Sequence, residues 1–166
     1  FVIVWVDDFL FACDYVTEET TATIQMLEKT LNLIRQESNR FIGITIDYDG
    51  ENNIMHPNQH DDIQKFVERV LPDSNPCSLP ADPSVKLCAV APESDLSKDG
   101  YPLSSINGSC LWFARVTRPD ICRAVNNLSH YHRAFGKEHI TASKQLVRYL
   151  RGSLNVGLVF QRVLDD

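Results

Sequence analysis

The chain has 166 residues, of which 43% are hydrophobic, and a formal net charge of −6. This length and hydrophobic content exclude a disordered chain, because they allow a sizeable core to be buried. No apolar run approaches the length of a membrane span. The five cysteines lack the spacing of a zinc site or a disulfide framework, so we expect an intracellular protein.

The charge is divided unevenly along the chain. Residues 1–100 hold seven lysines and arginines against 18 acidic residues, a net charge of −11. Residues 101–166 hold nine against four, a net charge of +5. The basic segment points to a polyanionic partner, although an ordinary solvated helix surface explains the charge equally well.

Two apolar runs at the start of the chain flank an acidic pair. Residues 2–6 and 9–12 are rich in β-branched and aromatic side chains, which predicts a hairpin with Asp7 and Asp8 at or near its tip. Carboxylates fixed at a stiff tip suit Mg²⁺-dependent nucleotidyl transfer, but aspartate is also common in ordinary turns. Because Phe1 opens directly into the first run, we expect the chain to be a piece of a longer protein.

A helix and a strand pair should follow the hairpin. Thr17 to Ile34 has apolar residues at helical spacing behind a threonine that can cap the helix. The alternation from Phe41 to Tyr48 predicts a strand that turns at Asp49-Gly50 and returns over Ile54 to His56. With the helices that follow, the pattern predicts an α+β architecture for the chain.

A short helix and a connector complete the acidic part. Five prolines between residues 72 and 100 predict an extended connector rather than a packed element. The helix before it should bury one apolar face, made of Ile63, Phe66, Val67 and Val70.

The pattern of the basic part, residues 101–166, predicts three helices and a strand. The first helix should run from Leu103 to Ala114, and the second should open at Thr117 as a cap. The third should run from Ile140 to Leu150 and stop near Gly152, with a strand from Asn155 to Phe160 after it. We expect Trp112 and Phe113 to lie in the core, and His130, His132 and His139 to be surface or packing residues.

Four cations of the basic part are candidate nucleic-acid contacts. Lys144, Arg148 and Arg151 share one face of the third helix, opposite an apolar face, so that they could meet phosphates. A solvated amphipathic helix remains the alternative. Arg118 precedes Pro119-Asp120 at a helix start that could bind phosphate, but a purely structural cap is the favoured interpretation.

Several of these segments resemble one known family. Residues 4–12, VWVDDFLFA, are similar to the Asp-Asp motif of reverse transcriptases, and FIGITI at residues 41–46 and Gln59 to Ile63 resemble downstream segments of the copia-type retrotransposon enzymes. The block from Tyr101 to Leu158 resembles the same family, with its ordered TRPDI, His139, RYLRG and GL elements.

The resemblance implies an architecture of palm and thumb. Residues 1–71 would be the end of a polymerase palm, 72–100 a Pro-rich connector, 101–153 a helical thumb-like segment, and 154–166 the first strand of the next region. The fingers and a third metal-binding aspartate would lie upstream of this chain, and the RNase H acids downstream. The site of action would be cytoplasmic, in a virus-like particle.

The resemblance also implies an activity and its residues. Asp7 and Asp8 would hold Mg²⁺ for RNA-directed DNA synthesis from dNTPs on a primed template, with Asp7 as the direct ligand and Trp5 near the primer end. The cations of the thumb would grip the primer–template duplex. Because part of the metal site would be missing, we expect the isolated chain not to polymerise.

The sequence departs from the family pattern at three places. Trp5 and Asp62 stand where the family has tyrosine, and the stretch after Leu31 is shorter than usual. These departures keep two alternatives open. One is a non-catalytic nucleic-acid-binding remnant of a decayed or host-retained element. The other, less favoured, is a protein-interaction scaffold with no nucleic-acid role.

Overall fold

The computed structural model describes residues 2–12, 16–35 and 39–162, which form two antiparallel sheets and a cluster of helices. The elements are β1 (Val2–Trp5), β2 (Asp8–Phe11), α1 (Glu18–Leu31), β3 (Arg40–Phe41), β4 (Ile44–Asp49), β5 (Ile54–Asn58), α2 (His60–Val70), α3 (Leu103–Val116), α4 (Cys122–Ser129), α5 (Lys137–Gly152) and β6 (Phe160–Gln161). Within these ranges no helix has the length and apolar character needed to cross a membrane.

Parts of the predicted segments lie outside the described residues. These parts are Phe1, residues 36–38 of the shortened stretch after Leu31, and residues 163–166 of the last predicted segment. The divisions at 1–71, 72–100, 101–153 and 154–166 stay predictions, as do the palm and the thumb.

The predicted hairpin is confirmed. β1 and β2 pair antiparallel with Val2 opposite Phe11 and Trp5 opposite Asp8. The helix α1 also begins where its cap was expected, because the Thr17 hydroxyl accepts a hydrogen bond from the Thr20 amide at 3.1 Å. It ends before the predicted Ile34, since Asn32 turns left-handed with φ of 53°.

The second sheet has the strand order β3-β4-β5-β6. The predicted continuous strand from Phe41 to Tyr48 is wrong at its start, because Ile42 and Gly43 adopt φ of 52° and 73° and form a turn between β3 and β4. The returning strand β5 is confirmed. The predicted strand over residues 155–160 is wrong in extent, because only Phe160 and Gln161 pair, opposite Met55 and Ile54.

The hydrophobic core lies among α2, α3, α4 and α5. The predicted apolar face of α2 is confirmed, with Val70 partly buried at its edge. α2 packs in the same core as the later helices, so the core crosses the predicted boundary between residues 71 and 101. The largest apolar side chains that are almost fully buried are Ile63, Leu103, Ile121, Leu128, Leu146 and Leu150.

A buried arginine joins the end of α3 to the end of α5. The guanidinium of Arg118 is fully buried and donates two hydrogen bonds to the Asp120 carboxylate, at 3.0 and 2.8 Å. It also donates to the carbonyl and the hydroxyl of Ser153, at 2.9 and 2.6 Å. Tyr149 donates its hydroxyl to Asp120 and places its ring 5.6 Å from the guanidinium. We call these four residues the Arg118 network.

The structure corrects the predicted helix start at Thr117. Thr117 ends α3, and its hydroxyl donates to the Gln59 side chain at 2.9 Å instead of capping the next helix. A short 3₁₀ turn, Pro119–Ile121, then leads into α4. Thr117 and Gln59 thus fasten the start of α2 to the end of α3.

The proline-rich connector has no strand or α-helix, but it contains a 3₁₀ turn at Pro92–Ser94 and it is packed. Leu87 and Leu96 contact the core, and the Tyr131 hydroxyl donates to the Leu87 carbonyl at 2.9 Å. The Leu96 amide donates to the Phe135 carbonyl at 2.8 Å. The prediction of an unpacked connector was therefore wrong, because an extended chain still satisfies its backbone groups on helix surfaces.

The Arg118 network should dominate the stability of the helical cluster. Asp120→Ala leaves a buried guanidinium without its counterion, so we expect the free energy of unfolding to fall by about 2 to 3 kcal/mol. This loss is smaller than the usual cost of breaking a fully buried pair, because Asp120 is partly exposed. Urea unfolding measures the change. Asp62→Ala, which breaks the surface ion pair with Arg40, is the control and should cost less than about 1 kcal/mol. Equal losses would contradict the expectation.

His139 should make the fold sensitive to mild acid. Its ring is buried, its Nδ1 accepts a hydrogen bond from the Gly136 amide at 3.2 Å, and burial lowers its pKa below the ordinary 6.5, against a smaller opposite effect of Glu138. The unfolded chain therefore binds this proton more readily, so stability is complete above about pH 6.5 and falls as the pH drops below it. Urea unfolding across this range should show the loss, and His139→Asn should reduce it.

Candidate functional site

The acidic pair lies at the turn of the hairpin. Asp7 occupies the turn, Asp8 opens β2 opposite Trp5, and both carboxylates are exposed to solvent. The indole of Trp5 is 60% exposed beside them. The hairpin thus brings together the three residues that the sequence placed at a catalytic centre.

The turn holds a residue in an unfavourable backbone conformation. Val6 has φ of 54°, in the left-handed region where a β-branched side chain is rarely found. Such a conformation costs on the order of 1 to 3 kcal/mol and is found most often at functional sites. A glycine or an asparagine would adopt it with less strain.

A cleft of about 470 Å³ adjoins the carboxylates. Asp7 and Asp8 line it together with the aromatic side chains of Phe9 and Phe11. Glu28 of α1 also lines it, and its carboxylate is paired with Arg35 at 3.0 Å. The cleft is large enough for a ligand of nucleotide size.

The acidic pair offers suitable but incomplete ligands for a divalent cation. Mg²⁺ prefers carboxylate oxygens and is often bound through one or two of them, with water and substrate phosphates completing the shell. In the part of the chain that the structure describes, no group of three or more His, Cys, Asp or Glu residues is arranged to hold a metal. Asp7 and Asp8 thus offer carboxylates of the right chemistry, and a complete metal shell would need further ligands.

Three of the four predicted nucleic-acid cations have partners within the chain. Arg118 is fully buried in the Arg118 network, so its prediction as a phosphate contact does not match its position. Arg148 donates to the Asn75 carbonyl at 2.6 Å, and Arg151 donates to backbone carbonyls at the end of α2. Lys144 is exposed on α5 and has no hydrogen bond or ion pair within the described ranges.

An exposed face of α3 was missed at the sequence level. Trp112 is 43% exposed, so the prediction that it lies in the core was wrong, whereas Phe113 is buried as predicted. Gly108 lies one turn before Trp112, with nothing within 4 Å of where its side chain would be, and Arg115 is exposed one turn after. We call Gly108, Trp112 and Arg115 the α3 face. Their spacing of four and three residues was the signal that could have revealed it.

Comparison with known proteins shows the origin of the chain. It is 36% identical over 106 residues to the retrovirus-related Pol polyprotein from transposon TNT 1-94 of Nicotiana tabacum, covering 58% of this chain and 8% of that protein. It is 27% identical over 167 residues to the retrovirus-related Pol polyprotein from transposon RE1 of Arabidopsis thaliana, covering 98% of this chain and 11% of that protein. The chain is homologous to copia-type retrotransposon Pol polyproteins and spans about a tenth of their length. No family model and no solved structure matches it.

The strain at Val6 gives a direct test of the turn. Val6→Gly removes the side chain that disfavours the left-handed conformation, so we expect the hairpin to be stabilised by about 1 kcal/mol. Hydrogen exchange of the paired amides in β1 and β2 should slow about fivefold. Val4→Gly, at a paired position without strain, should speed the exchange instead. Faster exchange in Val6→Gly would show that the turn is not strained.

Proposed function

We propose that the chain is part of the reverse transcriptase region of a retrotransposon Pol polyprotein. The observation that carries the proposal is the pair of exposed carboxylates, Asp7 and Asp8, at the turn of a short antiparallel hairpin and beside a cleft. The homology to Pol polyproteins supports a retroelement origin for the chain. A structural turn alone would give no reason for two adjacent like charges next to the strained Val6.

Asp7 and Asp8 would hold Mg²⁺, with further ligands from outside this chain. The metal, when bound, activates the primer 3′-oxygen and neutralises charge on the transferred nucleotide. The hairpin keeps both carboxylates at a fixed position, because the paired strands on either side leave the turn little freedom. Trp5, opposite Asp8, would pack against the primer end or the incoming dNTP.

The helical cluster would contact the primer–template duplex. The part of the chain from residue 101 onward is basic, and Lys144 and Arg115 are among its cations without partners in the described residues. A glycine inside a helix costs about 1 kcal/mol relative to alanine, and no neighbour among the described residues requires Gly108. The bare surface at Gly108 would let a nucleic-acid backbone approach α3, with Trp112 packing on its sugars.

Catalysis by the longer polyprotein segment tests the role of the carboxylates. In a segment that includes the upstream region, Asp7→Asn and Asp8→Asn should each lower Mg²⁺-dependent primer extension roughly 100-fold or more, because the metal stabilises the transition state by several kcal/mol. Asp61→Asn, at an exposed position on α2, is the matched control and should retain activity. Full extension by the Asp7→Asn and Asp8→Asn double variant would contradict the proposal.

Duplex binding tests the α3 face. Arg115→Gln should make the negative slope of log K against log salt shallower by about 0.9, because one phosphate contact is lost. Trp112→Ala should weaken binding without changing the slope, because the indole carries no charge. Lys65→Gln, on α2, should change neither. Fluorescence anisotropy with a labelled hybrid duplex measures both the affinity and its salt dependence. Unchanged affinity in all three variants would exclude the α3 face as a duplex contact.

A nucleic-acid-binding remnant without catalysis is the second candidate. The exposed α3 face favours it, because that surface does not depend on the acidic pair. Salt-dependent duplex binding together with inactive longer segments would support the remnant. A protein-interaction scaffold would show neither duplex binding nor primer extension.

A further inference from the structure

The segment from residue 71 to 79 lies along the basic side of α5. Arg151 donates to the carbonyls of Leu71 and Pro72 at 3.0 and 2.6 Å, and Arg148 donates to the carbonyl of Asn75 at 2.6 Å. In the next two contacts, one donor belongs to this segment and the other belongs to α5. The Cys77 amide donates to the Arg148 carbonyl at 3.3 Å, and the Gln145 side chain donates to the Leu79 carbonyl at 3.3 Å. We call residues 71–79 the strap.

Gly152 allows the strap to lie close to the helix. A β-carbon at this position would lie 3.0 Å from the Pro76 β-carbon and 3.2 Å from the Cys77 carbonyl oxygen, tighter than ordinary contacts. Gly152 is the last residue of α5, with Ser153 as the C-cap, and its φ is not left-handed. The predicted end of the helix near Gly152 is confirmed, and the missing side chain also allows the close approach of the strap.

The strap provides only part of the hydrogen-bond partners that Arg148 and Arg151 can take. Its acceptors are neutral carbonyl oxygens, and no carboxylate in the described residues forms an ion pair with Arg148 or Arg151. The Nε of Arg151 is buried without an acceptor. Hydrogen bonds from a guanidinium to an anion are about twice as strong as those between neutral groups, so a phosphate would be the better partner for both side chains.

Little apolar burial holds the strap in place. Pro72, Asp73, Asn75 and Pro76 are exposed, and only Leu71, at its start, packs against the core. The bonds to α5 are therefore its main attachment. Such a segment can leave the helix without opening the core, since the buried face of α5 points the other way.

We propose that the strap is a displaceable cover that withholds Arg148 and Arg151 from nucleic acid. This proposal rests on the proposed function, because the ligand is the phosphodiester backbone of the same duplex. With the strap in place, the chain binds through its uncovered cations, such as Lys144 and Arg115. Displacement of the strap frees two guanidinium groups on the side of α5 that carries Lys144, and they exchange carbonyl oxygens for phosphate oxygens.

Gly152→Val tests the cover by pushing the strap off α5 without removing a charge. The variant should bind a labelled hybrid duplex more tightly than the wild type. Its slope of log K against log salt should be steeper by about 1.8, which adds about a 12-fold loss of affinity between roughly 50 and 200 mM salt. Gln145→Ala, which removes the bond to the Leu79 carbonyl, should shift both quantities in the same direction by less, and it serves if Gly152→Val fails to fold.

The matched control repeats Gly152→Val in a chain that also carries Arg148→Gln and Arg151→Gln, where the gain should vanish. Thr141→Val, an exposed change on α5 away from the strap contacts, should leave binding unchanged. If the wild type binds but both strap variants keep its affinity and slope, the cover is refuted and the proposed function stands. If neither the wild type nor the strap variants bind duplex, both proposals fail.

Discussion

The helical cluster depends on the burial of one charged side chain. Arg118 lies where α3 ends, and its guanidinium reaches Asp120 in the next turn and Ser153 at the end of α5. Burial alone would raise the pKa of Asp120, but the bonds from Arg118 and Tyr149 outweigh it and hold that pKa below its ordinary value. The planar guanidinium thereby joins the end of α3, the turn that follows it and the end of α5. These bonds fix the position of α5 relative to α3.

The position of α5 in turn decides which cations are available. Its buried face packs on the core, and its opposite side receives the strap. Arg148 and Arg151 are thus committed to backbone carbonyls, whereas Lys144 remains exposed. The positive surface of this part of the chain is set by packing as well as by composition, and its uncommitted charge lies partly on the α3 face.

Periodicity and turn chemistry predicted most of the elements. The hairpin, α1, α2 and the buried face of α5 followed from apolar spacing, because burial of one face is a local property of the sequence. Apolar spacing did not predict the hydrogen-bond partners of Arg118, Arg148 and Arg151. A helical pattern shows which cations share a face, but it does not show what covers that face. Trp112 was misplaced because its apolar neighbours favoured a core position, and the spacing of Gly108, Trp112 and Arg115, which indicates an uncovered side of α3, was not used.

The role of the acidic pair is open to direct measurement with a paramagnetic cation. Mn²⁺ takes the same oxygen ligands as Mg²⁺ and broadens the NMR signals of nearby amides. Titrated into the ¹⁵N-labelled chain, it should broaden the amides from Trp5 to Phe9 first, and Asp7→Asn with Asp8→Asn should abolish that selectivity. Broadening that is spread over other exposed acids, such as Asp49 and Asp61, or that persists in the double variant, would contradict a metal-binding hairpin.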